Sequence, residues 1–147
     1  MSFFVAGKPV PQGSMNYFGG NFVHVKNNEL LVWRTRINLE AKKHFKQPLE
    51  GEVYMKAVFY LPKPKSVKRL EPHVKPDLDK LVRAVCDALT GIAFSDDSQV
   101  TALFAAKHYG EEVGVRISLF KPSGYSDLSY AGYGYKEFIV EEGDSHA

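Results

Sequence analysis

The spacing of apolar residues changes character along this chain, and each change marks an element. Ser2 to Ala6 is a short apolar run closed by Gly7-Lys8-Pro9 and the turn-like Pro11-Gln12-Gly13-Ser14, which predicts a first strand. In Tyr17-Phe18-Gly19-Gly20-Asn21-Phe22-Val23 aromatics flank a Gly-Gly pair, the pattern of a hairpin or an ordered loop. From Asn28 to Phe45 the apolar residues Leu30, Trp33, Ile37, Ala41 and Phe45 recur at steps of three and four, with Arg34, Arg36, Lys42 and Lys43 off that stripe. This predicts an amphipathic helix with a basic face. Glu52 to Leu61, rich in Val, Tyr and Phe and bounded by Gly51 and Pro62, reads as a strand.

Pro62 to Pro76 contains four prolines and excludes regular structure, so a long basic loop follows. Asp77 to Thr90 is the clearest helix: Leu78, Leu81, Val82, Val85 and Leu89 form one stripe, Pro76 and a capping Asp77 open it, and Gly91 ends it. Val100 to Tyr109 and Val113 to Leu119 predict two strands joined at Gly110-Glu111-Glu112 as a hairpin. The order fits an α+β fold, a two-layer mixed β-sheet with two main helices on one face. Residues 1–120 form that domain, and residues 121–147, rich in Gly, Tyr and acids, form an appendage outside its core.

Length and composition narrow the partners. A chain of 147 residues with 44% hydrophobic and 24% charged residues has the make-up of one globular domain, which excludes collagenous and disordered classes. The longest apolar runs are the five residues Ala57 to Leu61 and Ala102 to Ala106, against about 18–20 for a membrane helix. The first positive charge follows the N-terminal apolar stretch, the reverse of a secretory signal, and the lone Cys86 can form no internal disulfide. A cytoplasmic location is expected. Residues 1–120 hold 17 Lys and Arg against 12 Asp and Glu, a net +5, while the last 27 residues hold 2 against 5, a net −3. A basic body permits a nucleic-acid partner, and the cations concentrate between Lys63 and Arg83.

The candidate chemistry lies in Lys75-Pro-Asp-Leu-Asp-Lys80 and in Ser95-Asp96-Asp97-Ser98. Asp77 and Asp79 can both turn toward the space ahead of the helix, where the dipole favours negative charge. Four acids in two clusters suit a hard divalent cation between them. Arg83 and Asp87 follow Asp79 at one-turn intervals and continue a charged strip opposite the Leu and Val stripe. The residues alone equally allow Asp77 to be only a cap and Asp96-Asp97 only a polar turn. Phosphotransferases that use D-x-D place it at the end of an apolar strand; here Lys75-Pro76 precedes the motif, which argues against that class. His24, His44, His73, His108 and His146 show no metal-ligand spacing. Trp33 and Cys86 read as core residues, and Tyr17 and Phe18 as either core or base-stacking aromatics.

The 26-residue string from Lys75 to Val100, Lys-Pro-Asp-Leu-Asp-Lys-Leu-Val-Arg-Ala-Val-Cys-Asp-Ala-Leu-Thr-Gly-Ile-Ala-Phe-Ser-Asp-Asp-Ser-Gln-Val, closely resembles the signature of the RusA-type Holliday junction resolvases, small endonucleases common in prophages. Gly7 to Ser14 and Trp33-Arg34 are also similar to that family, and the likeness spans about residues 3–120. The resemblance implies a homodimer acting on four-way DNA junctions in recombination and repair by paired, symmetric nicks, with Mg²⁺ as cofactor and Mn²⁺ as a substitute. It places the family's catalytic, metal-holding carboxylates on Asp77, Asp79 and Asp97, with Asp96 assisting, and its essential helix lysine on Arg83. Arg keeps the charge but replaces a compact point charge by a planar fork. Lys80 stands where many members carry Asn. Lys63, Lys65, Lys68, Arg69, His73, Lys75 and Lys80 are the expected contacts to DNA, made to the backbone. The rivals are a catalytically silent DNA-binding protein on the same scaffold and a general branched-DNA nuclease.

Overall fold

The structure, a computed structural model, describes residues 1–13, 16–18, 21–23 and 27–122. Its elements are β1 (Ser2–Ala6), β2 (Asn16–Phe18), β3 (Asn21–Val23), α1 (Asn27–Lys42), β4 (Val53–Leu61), α2 (Leu78–Leu89), β5 (Val100–Tyr109) and β6 (Gly114–Phe120), with a 3-10 turn at Asp97–Gln99. The main sheet has the order β1-β6-β4-β5, and β2 and β3 pair with each other as a separate antiparallel ribbon. Strand β6 runs antiparallel to both β1 and β4, whereas β4 and β5 are parallel. Both helices lie on one face, as the α+β reading requires.

Alternation decides which side chains meet the helices. Phe3 and Val5 of β1, Met55, Ala57 and Phe59 of β4, and Val115, Ile117 and Leu119 of β6 are buried in one cluster with Trp33, Ile37 and Ala41 of α1 and Leu81, Val85 and Leu89 of α2. Each such large side chain withdrawn from water contributes roughly 1.5–3 kcal/mol. Strand β4 is buried or half-buried at every position, which matches its largely apolar sequence. At Gly114 a Cβ would stand 2.3 Å from the Val5 carbonyl oxygen, so the β1–β6 pairing depends on that glycine.

Three expectations need correction. The strands on either side of Gly110-Glu111-Glu112 do not form a hairpin: β5 pairs with β4, and β4 also pairs with β6, so β4 separates the two. Strands two positions apart are about 10 Å distant, which the four residues 110–113 can span, and the Gly110 N–H donates to the Leu61 carbonyl at 3.1 Å as the chain passes the end of β4. Helix α1 stops at Lys42, three residues short of Phe45. Its end is a tightened turn in which the His44 N–H donates to Ala41 O at 2.9 Å, and His44 then stacks on Phe3 with centroids 4.9 Å apart. Nor is its outer face purely basic, since Leu31, Val32 and Leu39 are exposed there. Residues 123–147, read as an appendage, lie outside the described residues, as do Gly19, Gly20 and His24. Among the described residues no helix is long and apolar enough to cross a membrane.

Candidate active site

Helix α2 begins where the proline-rich loop ends. The Lys75–Pro76 peptide is cis, and Asp77 occupies the N-cap position with extended backbone, φ −69° and ψ 137°. Its carboxylate nevertheless makes no capping hydrogen bond. Its neighbour is the Lys80 ammonium, with Nζ 3.3 Å from Oδ2, and both side chains are well exposed. Asp79 is exposed in the first turn. Two carboxylates thus face solvent at the positive end of the helix dipole, where negative charge is favoured.

The N-terminal loop crosses this helix end. The Gln12 N–H donates to the Lys80 carbonyl at 3.0 Å, and Gly13, at φ 104°, lies under the Arg83 guanidinium, which is 3.7 Å from where its Cβ would stand. A side chain at Gly13 would be strained by that backbone angle. Asp79 and Arg83 are exposed and Asp87 is half-buried along one flank of α2, and no ion pair joins them among the described residues.

The second acid cluster is held by its own knot. Ala93 and Phe94 are fully buried and anchor the return from α2, with the Gly91 N–H donating to Phe94 O at 2.7 Å. Asp96 caps the 3-10 turn: its Oδ1 accepts from the Ser98 N–H at 2.8 Å, and the backbone bond from Ser98 holds its carboxyl below the ordinary aspartate value. The Gln99 side chain completes the capping box, since its Oε1 accepts from the Ser95 and Asp96 N–H groups at 2.9 and 3.1 Å. Its Nε2 donates to the carbonyls of Leu49 and Gly51 at 2.8 and 2.9 Å, tying the turn to the entry of β4. Asp97 is exposed. Burial pushes the Cys86 thiol up to about 11, and the charges of Asp97 and Asp87 push it the same way. The Asp97 charge is thus felt at Cys86 in the third turn of α2.

The basic loop is clasped by three consecutive residues of the edge strand β5. Arg69 Nε donates to the Tyr109 hydroxyl at 2.9 Å, His108 Nδ1 lies 2.9 Å from Glu71 Oε2, and Lys107 Nζ donates to the carbonyls of Val74 and Pro76 at 2.7 and 2.8 Å. The Lys63 ammonium is 5.9 Å from the Tyr109 ring centroid. Lys65, Lys68, His73 and Lys75 are exposed.

The candidates thus divide. Asp77, Asp79, Lys80 and Arg83 lie in the first turns of α2, Asp97 stands exposed on the 3-10 turn, and Asp96 caps that turn. Arg69 is tied to Tyr109. Sequence reasoning passed over Gln12, Gln99 and Lys107; for Lys107 the available signal was a lysine on the strand parity that otherwise carries Ala105 and faces the helices. As to a metal, exposed carboxylate oxygens are the right donors for Mg²⁺. Among the described residues no group of three or more His, Cys, Asp or Glu converges on one point. That arrangement fits an ion that keeps its waters and takes one or two carboxylates plus substrate phosphate oxygens, which is the usual habit of Mg²⁺.

Two comparisons bear on this geometry. A family model described as endodeoxyribonuclease RusA matches residues 6–119. The chain is also 32% identical over 134 residues to a protein of Bacillus subtilis (strain 168) described as uncharacterized protein YqaN, an alignment covering 81% of this chain and 94% of that one.

Proposed function

The chain belongs to the RusA endodeoxyribonuclease family, and from that premise we propose that it is a divalent-metal-dependent endonuclease that resolves four-way DNA junctions by paired, symmetric nicks. The observation that carries this reading is the Asp77 carboxylate, placed at a helix cap yet making no capping bond, beside the exposed Asp79. A residue kept only as a cap would bond the first N–H groups.

Asp77 and Asp79 would hold a Mg²⁺ ion, with Asp97 as the third carboxylate of the set. When bound, the ion supplies a water activated near neutral pH and a charge that offsets the anionic transition state. The protein's own groups do the rest. Arg83, with no partner on its flank among the described residues, binds the phosphoryl oxygens as the charge on them grows. Lys80 screens Asp77 from the incoming DNA, and Lys65, Lys68, His73 and Lys75 contact neighbouring phosphates without reading sequence. The clasp on β5 presents that loop in one conformation, which lowers the ordering cost of binding.

A two-fold junction cut symmetrically needs two equivalent sites, so the working form is a homodimer. The exposed Leu31, Val32 and Leu39 on the outer side of α1 offer an apolar surface for that contact. The test is incubation of a mobile four-way junction with and without Mg²⁺, mapping nicks on all four strands, for the wild type and for Asp77→Asn, Asp79→Asn and Asp97→Asn. Loss of cleavage by about 10³-fold or more with junction binding retained in Ca²⁺ is expected for each. A variant that cuts at the wild-type rate removes that carboxylate from the assignment. A wild type that leaves every branched DNA intact refutes the reading.

A further inference from the structure

We propose that Lys107 is a positioning residue for the head of α2, fixing the path of residues 74–76 so that the Asp77 and Asp79 carboxylates are presented together; this rests on the reading of those two acids as a metal-holding pair.

Lys107 sits in β5 opposite Phe59 of β4, on the strand parity that faces the helices, and Phe59 is fully buried. A lysine there must find acceptors for its ammonium close at hand, since burying part of a charge without partners is costly. It finds them in two main-chain oxygens, Val74 O at 2.7 Å and Pro76 O at 2.8 Å. Two of its three N–H donors are therefore directed at the segment that runs directly into Asp77. Because the acceptors are carbonyls, what is fixed is the course of the chain and not the identity of its side chains.

The neighbouring contacts explain why Lys107 in particular matters. Arg69–Tyr109 and Glu71–His108 hold the upstream part of the loop, five or more residues before Asp77. Pro76 has no N–H of its own, and the Asp77 side chain does not close the cap. The last fixed point before the acids is thus the pair of bonds from Lys107. Half-buried and turned toward carbonyls, its ammonium is not presented to a phosphate as those of Lys65 and Lys75 are. A displacement of the Pro76 carbonyl moves the Asp77 N–H and Cα with it, and two carboxylates that share an ion lose affinity when their separation wanders.

The test uses the full chain with Lys107→Met, which keeps the apolar stem and removes the donors, and Lys107→Arg, which keeps charge and donors. Three quantities are measured: amide hydrogen exchange of residues 74–79, Mn²⁺ affinity by titration calorimetry without DNA, and the Mg²⁺ concentration giving half-maximal junction cleavage. For Lys107→Met we expect faster exchange in that segment and a loss of about 10- to 100-fold in both metal readouts, the range typical of groups that orient metal ligands. Lys107→Arg should restore most of the loss. Mn²⁺ affinity and exchange equal to wild type in Lys107→Met would overturn the assignment, as would loss of cooperative unfolding, which would make Lys107 a determinant of the fold. A wild type that binds Mn²⁺ but cuts no branched DNA refutes the nuclease reading and leaves the positioning role measurable. A wild type that binds no Mn²⁺ overturns both.

Discussion

Gln99 offers the sharpest test of how the second acid cluster is built. Its side chain satisfies four backbone groups at once, two N–H groups in the turn and two carbonyls at the entry of β4, all within 3.1 Å. Replacing it by Leu keeps the volume and abolishes all four bonds. A net value of about 0.5–1.5 kcal/mol per bond gives about 2–6 kcal/mol for the four together. Only the bond to Leu49 O is partly buried; the other three are exposed, so their groups recover water. A loss of about 2 kcal/mol is therefore expected, which for a domain of this size lowers Tm by roughly 6–10 °C. Gln99→Glu separates the two halves of the knot: it retains an acceptor for the turn but places a carboxylate against two carbonyl oxygens, and it should cost at least as much near neutral pH. Urea unfolding followed by circular dichroism measures both variants, with the m-value unchanged if the transition remains two-state. A midpoint for Gln99→Leu equivalent to less than about 0.5 kcal/mol of lost stability would refute the idea that this side chain holds the turn.

The cap at Asp96 predicts a pH dependence. Its carboxyl is held below the ordinary value of 3.8 chiefly by the Ser98 backbone bond, so its stabilisation is present above that pH and disappears as pH falls through the lowered value. The Tm advantage of wild type over Asp96→Asn should accordingly narrow below pH 3.8 in a thermal scan series. Cys86, with its thiol pushed up from 9.0 to about 11 mainly by burial, should react with an alkylating agent at pH 8 at least about 100-fold more slowly in the folded protein than in urea. Equal rates would show that the thiol is open to solvent. Gly114→Ala should destabilise by at least about 2–3 kcal/mol in denaturant titration, because the new Cβ would lie 2.3 Å from the Val5 carbonyl oxygen and must part β1 from β6. A neutral substitution would mean that the strands can separate without cost.

Helix α2 was legible in the sequence because three independent signals agree on it: a clean apolar stripe, Pro76 before it, and Gly91 at φ 87° after it. The four-stranded sheet was legible only as a set of strands. Pairing between β4 and β5 joins residues some fifty positions apart, and no local pattern announces it; Gly110-Glu111-Glu112 has the chemistry of a hairpin turn and is instead a bridge across the end of β4. The head of α2 could be read as a site, yet the difference between Asp77, which makes no capping bond, and Asp96, which does, depends on backbone angles that adjacent acids in a sequence do not reveal. Lys107 becomes conspicuous once the inward parity of β5 is known, and that parity follows from the register with β4. The exposed Leu31, Val32 and Leu39 show the opposite failure, an apolar surface hidden among the arginines of α1.

Among the described strands β6 comes last in chain order, yet it stands between β1 and β4 in the sheet. For a chain emerging from the ribosome, this makes closure of the sheet a late event. β1 is synthesised first and has no hydrogen-bonding partner in the main sheet until β6 arrives, while the whole crossover from Leu61 to Val100, with every candidate acid on it, is already complete. An incomplete chain would carry the acids but not the strand that joins its two halves, leaving Phe3, Val5 and the edge of β4 open. Translation to the end of β6 is thus the step that lets this sheet close, and fragments ending before Phe120 should be found with chaperones or proteases and not on DNA.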